Sequence, residues 1–165
     1  MNNQAERMIA IRTGTESDAV AVLILLKKLA KALNKENEFT TSLEDLTKLF
    51  SNSLLKIKTV IAEYDGSAIG VCLYFFTYSS WRAEMGIYIQ DLFVDKSYRG
   101  QGIATKMLRH ALRDNEKFEI QHLRLSANRS NKVALNYYMH LGVVPIFDEV
   151  ICSADAAVLC RIKES

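Results

Sequence analysis

Apolar residues recur at three- and four-residue steps between Ala19 and Leu33, at Val22, Leu25, Leu26, Leu29 and Leu33, while Lys27, Lys28 and Lys31 fall off that stripe. The spacing predicts an amphipathic helix with one buried face. Ahead of it, Thr15-Glu16-Ser17-Asp18 supplies capping side chains, and Met8-Ile9-Ala10-Ile11-Arg12 reads as a short strand. The stripe resumes at Leu43, Leu46, Leu49 and Phe50, where Ser42-Leu43-Glu44-Asp45 offers a cap with acids in the first turn, so a second helix begins near Ser42.

From Lys58 the period falls to two. Thr59 to Tyr64 and Ala68 to Tyr78 flank Asp65-Gly66, a dipeptide suited to a type I′ hairpin turn, and Gly86 to Val94 extends the meander. Gly102 to Phe118 returns to the helical period, with Ile103, Met107, Leu108, Ala111 and Leu112 on one face. His122 to Ala127 reads as a strand and Asn131 to Leu141 as a helix ended by Gly142. Val143 to Phe147 and Ala157 to Ile162 read as two closing strands. The order βααβββαβαββ predicts an α/β fold with one twisted, mixed and mostly antiparallel sheet flanked by helices.

At 165 residues the whole of 1–165 is expected to form a single domain. Twenty-one basic residues against 19 acidic ones leave +2, too even a balance for a counterion-driven nucleic-acid binder, so no nucleic-acid partner is expected. The apolar run Ala19 to Leu26 meets Lys27 and Lys28 too soon to span a bilayer, and Met1 to Glu6 lacks the pattern of a signal segment. A cytoplasmic protein without a membrane partner is the expectation. Cys72, Cys152 and Cys160 are odd in number and lack C-x-x-C spacing, and His110, His122 and His140 share no metal-ligand spacing, so neither disulfide nor metal is expected.

Arg99-Gly100-Gln101-Gly102-Ile103-Ala104-Thr105 stands between a strand and a helix. Its glycines let backbone amides approach a ligand closely, and the free N–H groups at the helix start suit a pyrophosphate. A Gly-x-Gly turn by itself is also a common plain connection. The Walker pattern fails for want of Gly-Lys-Ser/Thr, and the dinucleotide fingerprint fails because Thr105 takes the place of its third glycine. What remains is Arg-x-x-Gly-x-Ala after Leu92-Phe93-Val94-Asp95. With Asn131-Lys132-Val133-Ala134-Leu135-Asn136-Tyr137-Tyr138 and Leu141-Gly142 downstream, the sequence resembles the GNAT superfamily of acetyl-CoA-dependent N-acetyltransferases. Tyr74 to Trp81 and Ile89 to Val94 are similar to its diamine (spermidine/spermine) acetyltransferase branch. The resemblance runs from Ile9 to about Gly142.

That resemblance implies acetyl-CoA as cosubstrate, a small-molecule primary amine as acceptor, and a homodimer. It implies that the backbone of Leu92, Phe93 and Val94 holds the pantetheine arm and that Arg99, Gly100, Gln101, Gly102, Ile103, Ala104 and Thr105 hold the pyrophosphate. Asn131 then contacts the cofactor near its thiol end, and Tyr138 stands close to the sulfur as general acid. Such chemistry needs a deprotonated amine, a stabilised carbonyl oxygen and a protonated leaving thiolate.

The sequence departs from the branch at two places. Gln90 occupies the position of its glutamate and cannot accept a proton at neutral pH, so Gln90 orients amine or water. Asp91 is adjacent, but alternation aims it to the opposite face unless a bulge intervenes; a water chain to Glu84 or Asp91 is another route. Ser79-Ser80 stands where the branch has an aspartate before Pro-Trp, so the grip on a distal ammonium is missing. Glu36, Trp81 and Asp91 are the candidate acceptor contacts. With no cysteine in the motif region, direct attack in a ternary complex is expected rather than an acyl-enzyme. Two rivals remain at this point: a non-catalytic acyl-CoA sensor, and an acetyltransferase of protein or peptide amines.

Overall fold

The computed structural model describes residues 8–52 and 54–164. The reading of Met1 to Glu6 lies outside them. The elements are β1 (Ile9–Thr13), α1 (Ala19–Ala32), α2 (Leu43–Ser51), β2 (Lys58–Tyr64), β3 (Ser67–Ser79), β4 (Glu84–Val94), α3 (Ile103–Arg113), β5 (His122–Leu125), α4 (Lys132–His140) and α5 (Ala156–Glu164). The strands lie side by side in chain order, each antiparallel to the one before, except that β5 runs parallel to β4. The Asp65-Gly66 turn has positive φ at both residues, as a type I′ hairpin requires.

Both faces of this sheet are covered, which is why Val60, Ile61 and Ala62 are all buried in succession. Ile61, Val71, Leu73 and Phe93 join Val22, Leu25 and Leu26 of α1 and Leu46 of α2 in one apolar cluster. Their alternates face α3: a Cβ placed on Gly70 would stand 3.2 Å from the Met107 methyl. The Tyr74 hydroxyl accepts a 2.7 Å hydrogen bond from Asn115, whose amide also reaches the Ala111 carbonyl at 2.7 Å. This inward turn of Asn115 accompanies the end of α3 at Arg113, short of the Phe118 that periodicity suggested.

The two closing strands expected from the sequence do not form. Val143 to Phe147 has no regular structure, and Pro145 within it has no N–H for a ladder. Ala157 to Ile162 belongs to α5, because Asp155 caps it: its carboxylate accepts the Val158 N–H at 2.9 Å and its carbonyl the Leu159 N–H at 3.0 Å. The run Ala157-Val158-Leu159-Cys160 is too short for periodicity to separate strand from helix, so the cap decides. The chain divides after Ser126 into two compact units, the first holding the sheet with α1 to α3, the second α4 and α5.

Arg12 ties the end of β1 to the start of α1 and to β2. Its guanidinium donates to both oxygens of buried Asp18, at 2.8 and 2.7 Å, and to Glu63 at 2.5 Å, while Asp18 also accepts the Thr15 N–H at 2.7 Å. The Arg12 bond, ahead of the opposing cost of burial, holds the Asp18 carboxyl down to about 2. A depressed carboxyl contributes stability above its ordinary range near 4 and loses that contribution as pH falls toward 2. Because the Arg12 side chain is 38% exposed, Asp18→Ala is expected to cost about 2 kcal/mol at pH 7, less than a fully buried pair would. Urea unfolding followed from pH 7 to pH 2 checks this: the gap between variant and wild type narrows below pH 4.

Candidate active site

β3 runs beside β4 over ten paired positions, but Leu73 faces Asp91 while Tyr74 faces Ile89, so Gln90 is an extra residue in β4. A bulge of this kind re-aims the side chains beyond it. Without it Asp91 would share the α3 face with Ile89; with it Asp91 takes the α1 face alongside Leu73 and Phe93. Gln90 itself is exposed and Asp91 is half-buried. Among the described residues the Asp91 carboxylate takes no hydrogen bond or ion pair. Burial pushes its carboxyl above the ordinary carboxylate range.

The bulge coincides with the end of the β4·β5 ladder, which covers only Gly86 to Ile89 on the β4 side. From Gln90 to Val94 the outer edge of β4 therefore has no strand partner among the described residues, an open backbone edge of roughly 16 Å at the usual strand rise. Such an edge receives an extended chain containing amides.

Beyond Val94 the chain enters the glycine loop. The Arg99 Nε donates to the Val94 carbonyl at 2.9 Å and its guanidinium lies over the Phe93 ring, 5.6 Å from the centroid. Gly100 and Gly102 have φ of +78° and +70°, and a Cβ at either would meet nothing within 4 Å. The glycines serve the left-handed turn and face open space. α3 starts at Ile103 with no side-chain hydrogen bond capping it, and buried Ile103 and Met107 anchor that end of the helix. Beside Arg99, a cavity of about 280 Å³ is lined by Lys28, Lys31, Ala32, Phe93, Asp95, Lys96 and Arg99. Lys28 is held there by Asp95 at 2.6 Å. This basic cavity escaped the sequence reading, since only the tertiary fold brings α1 to the end of β4.

The structure thus groups Gln90, Asp91 and Leu92 to Val94 with Arg99 to Thr105 along one strand and the loop after it. Glu36 stands exposed on a 3₁₀ turn between α1 and α2, and Trp81 is 98% exposed between β3 and β4. Glu84 lies six positions from Gln90, roughly 20 Å along the strand, and faces Arg82 at 3.7 Å and His122 at 3.9 Å. In the second unit, Asn131 caps α4 by accepting the Ala134 N–H at 3.1 Å, and Tyr138 is buried near its end, its ring 5.2 Å from that of Tyr137. Among the described residues no group of three or more His, Cys, Asp or Glu is arranged to hold a metal, and no helix is long and apolar enough to cross a membrane.

Comparison with known proteins matches residues 26–143 to the acetyltransferase (GNAT) family. A thialysine N-epsilon-acetyltransferase of Bos taurus is 30% identical over 142 residues, 81% of this chain and 83% of that protein. The spermidine/spermine N(1)-acetyltransferase-like protein 1 of Homo sapiens is 25% identical over 84% of this chain and 21% of its own length. An integron cassette protein from the mobile metagenome of V. cholerae superposes with a TM-score of 0.76 at 19% identity, covering 95% of this chain and 98% of its own. The aminoglycoside N-acetyltransferase AAC(6')-Iy in complex with CoA superposes at 0.72 and 17% identity, over 94% and 99%. At these identities the two structures speak for the fold.

Because Gly102 adopts φ +70° with free space around it, Gly102→Ala is expected to cost about 1 kcal/mol from backbone strain alone. A lower urea midpoint with an unchanged slope checks it.

Proposed function

Since the chain belongs to the acetyltransferase (GNAT) family and is an N-acetyltransferase, we propose that it moves an acetyl group from acetyl-CoA to a primary amine of a small molecule, by direct attack in a ternary complex. The observation that carries this reading is the open edge of β4 running straight into the glycine loop. The fit is chemical: a strand edge with no strand partner among the described residues suits an amide-containing arm, and a helix start without a side-chain cap, preceded by two glycines in open space, suits the anion at its end. In this reading residues 1–165 work as one acetyltransferase domain.

The backbone of Leu92, Phe93 and Val94 holds the pantetheine arm, and the loop from Arg99 to Thr105 holds the pyrophosphate. Acetyl-CoA, when bound, supplies the acetyl group as a thioester whose C–S bond breaks as the new N–C bond forms. Asn131 contacts the thiol end, and Tyr138 gives its phenolic proton to the departing sulfur, a transfer that the ordinary phenol value of about 10 permits only with positioning and exclusion of water. Gln90, an amide on an exposed bulge, orients the amine or a water by hydrogen bonding. Burial pushes the Cys72 thiol up to about 12, so it is not a nucleophile for an acyl-enzyme, which supports direct attack.

The acceptor we favour is an amine that carries its own carboxylate. With Gln90 and Ser80 where the diamine branch has acids, the site is poorly equipped to grip a polycation. A relative whose name gives thialysine as acceptor, an amino acid with a carboxylate, supports this.

A ligand that binds only the folded state stabilises it by about 2.7 kcal/mol at one hundred times its dissociation constant. Acetyl-CoA is therefore expected to raise the melting temperature, and Gly102→Glu to abolish the rise by placing bulk and charge in the loop. An unchanged melting curve for the wild type at millimolar acetyl-CoA sinks the reading. Tyr138→Phe is expected to lower turnover by about two to three orders of magnitude with the acetyl-CoA shift retained. Steady-state rates with free-thiol detection measure it, and full turnover in the variant would leave Tyr138 a packing residue.

A further inference from the structure

We infer that Asp91, carried onto the α1 face by the bulge at Gln90, is the proton acceptor for the incoming ammonium. The inference rests on the acyl-transfer reading above and adds to it the base that Gln90 cannot be.

Three features of the fold converge on this carboxylate. The first is direction. The extra residue at 90 takes Asp91 away from the face of Ile89 and α3 and sets it opposite Leu73, next to the point where the outer edge of β4 opens. The second is solitude. Every other acid around the β4 ends is engaged: Asp95 by Lys28, Glu84 opposite Arg82 and His122, Glu63 by Arg12. Asp91 alone among these has neither hydrogen bond nor ion pair among the described residues, yet it is half-buried rather than sealed. An unpaired carboxylate in that setting has lone pairs to offer and a desolvation cost that an arriving cation relieves. The third is surroundings. Leu73 and Phe93 share its face, and Cys72 on β3 is the titratable neighbour, a buried thiol that is neutral at working pH. From α1, Lys28 near the end of the strand is held by Asp95. Burial is the cause of the Asp91 shift, and its upward direction makes the carboxylate a better base than an exposed one.

The step is a single proton transfer. The ammonium binds against the Asp91 carboxylate, one N–H bond breaks, and the proton forms an O–H bond on an Asp91 oxygen. The nitrogen keeps the electron pair and is free to attack, and the carboxyl later returns the proton to water. Charge is conserved, since an ammonium and a carboxylate become an amine and a carboxylic acid.

This arrangement leaves a mark in the pH dependence that a packing role does not. An enzyme that takes the ammonium and deprotonates it has a kcat/KM that is flat between the carboxyl pKa and the amine pKa. An enzyme without a base must wait for free amine, which for a lysine-like pKa of about 10.4 is about one molecule in a thousand at pH 7, and its kcat/KM rises tenfold per pH unit. The experiment is kcat/KM against pH from 6 to 9.5 for wild type, Asp91→Asn and Asp91→Glu on one primary amine, with the acetyl-CoA melting shift recorded for each. The expected result is a flat wild-type limb, a limb rising tenfold per unit and about a hundredfold lower at pH 7 in Asp91→Asn, and a flat limb restored in Asp91→Glu, all with the melting shift intact. A flat limb in Asp91→Asn, or a rising one in the wild type, overturns the role of Asp91 while leaving the enzyme an acetyltransferase. If Asp91→Asn does not fold, the wild-type and Asp91→Glu limbs decide by the same criterion. Loss of the melting shift in the wild type overturns the acyl-transfer reading and this inference with it.

Discussion

β4 is paired along one side over nearly its whole length and along the other over only four residues, and the changeover comes at the extra residue Gln90. A strand in the middle of a sheet normally has every peptide group committed. Here β3 supplies a rigid partner, while among the described residues the outer side from Gln90 to Val94 has no strand partner and its last carbonyl, on Val94, accepts from Arg99. The α1 cluster on one face and α3 on the other hold the strand against fraying, since Phe93, Val94 and Ile89 are all buried. The glycine loop depends on the same arrangement: its first anchor, Arg99, is bonded to the last carbonyl of that strand.

The bulge also sorts the chemistry of neighbouring residues. In an unbroken strand Gln90 and Asp91 would point to opposite faces, and Asp91 would meet α3 and the apolar Ile89 side. One inserted residue exposes the amide and brings the carboxylate round to the face of α1 and α2. Backbone geometry, with no change in residue type, thereby decides which polar group faces α1.

Much of this is legible in the sequence, for reasons specific to each segment. The stripe Val22, Leu25, Leu26 and the Asp65-Gly66 turn are local signals with strong physical causes, one the 3.6-residue period and the other positive φ, and both elements form where the sequence places them. The loop from Arg99 to Thr105 is legible through its glycines. The closing strands are not: Ala157 to Ile162 carries an apolar run compatible with either period, and the deciding Asp155 cap is a single side chain outside it. The bulge at Gln90 is visible only as a possibility, because it is defined by the register against β3, where Leu73 pairs with Asp91 and Tyr74 with Ile89, a relation no local pattern encodes. The basic cavity needs Lys28 and Arg99 together, and no local pattern joins them.

The exchange of a carboxylate for an amide at 90 has a consequence for Asp91 itself. Two acids at consecutive positions on a bulge repel, which raises the pH at which the more buried of them gives up its proton. With Gln90 beside it, Asp91 feels burial and no adjacent like charge on the bulge. The site then carries one negative charge where the branch pattern has two. In the proposed reading that single charge matches one ammonium. An acceptor bearing its own carboxylate brings the second negative charge with it, and the basic side chains Lys31, Lys96 and Arg99 at the end of β4 add positive potential in the same unit. In the proposed reading, a preference for carboxylate-bearing amines over polyamines rests on one amide and on the β4 register that keeps Asp91 on the α1 face.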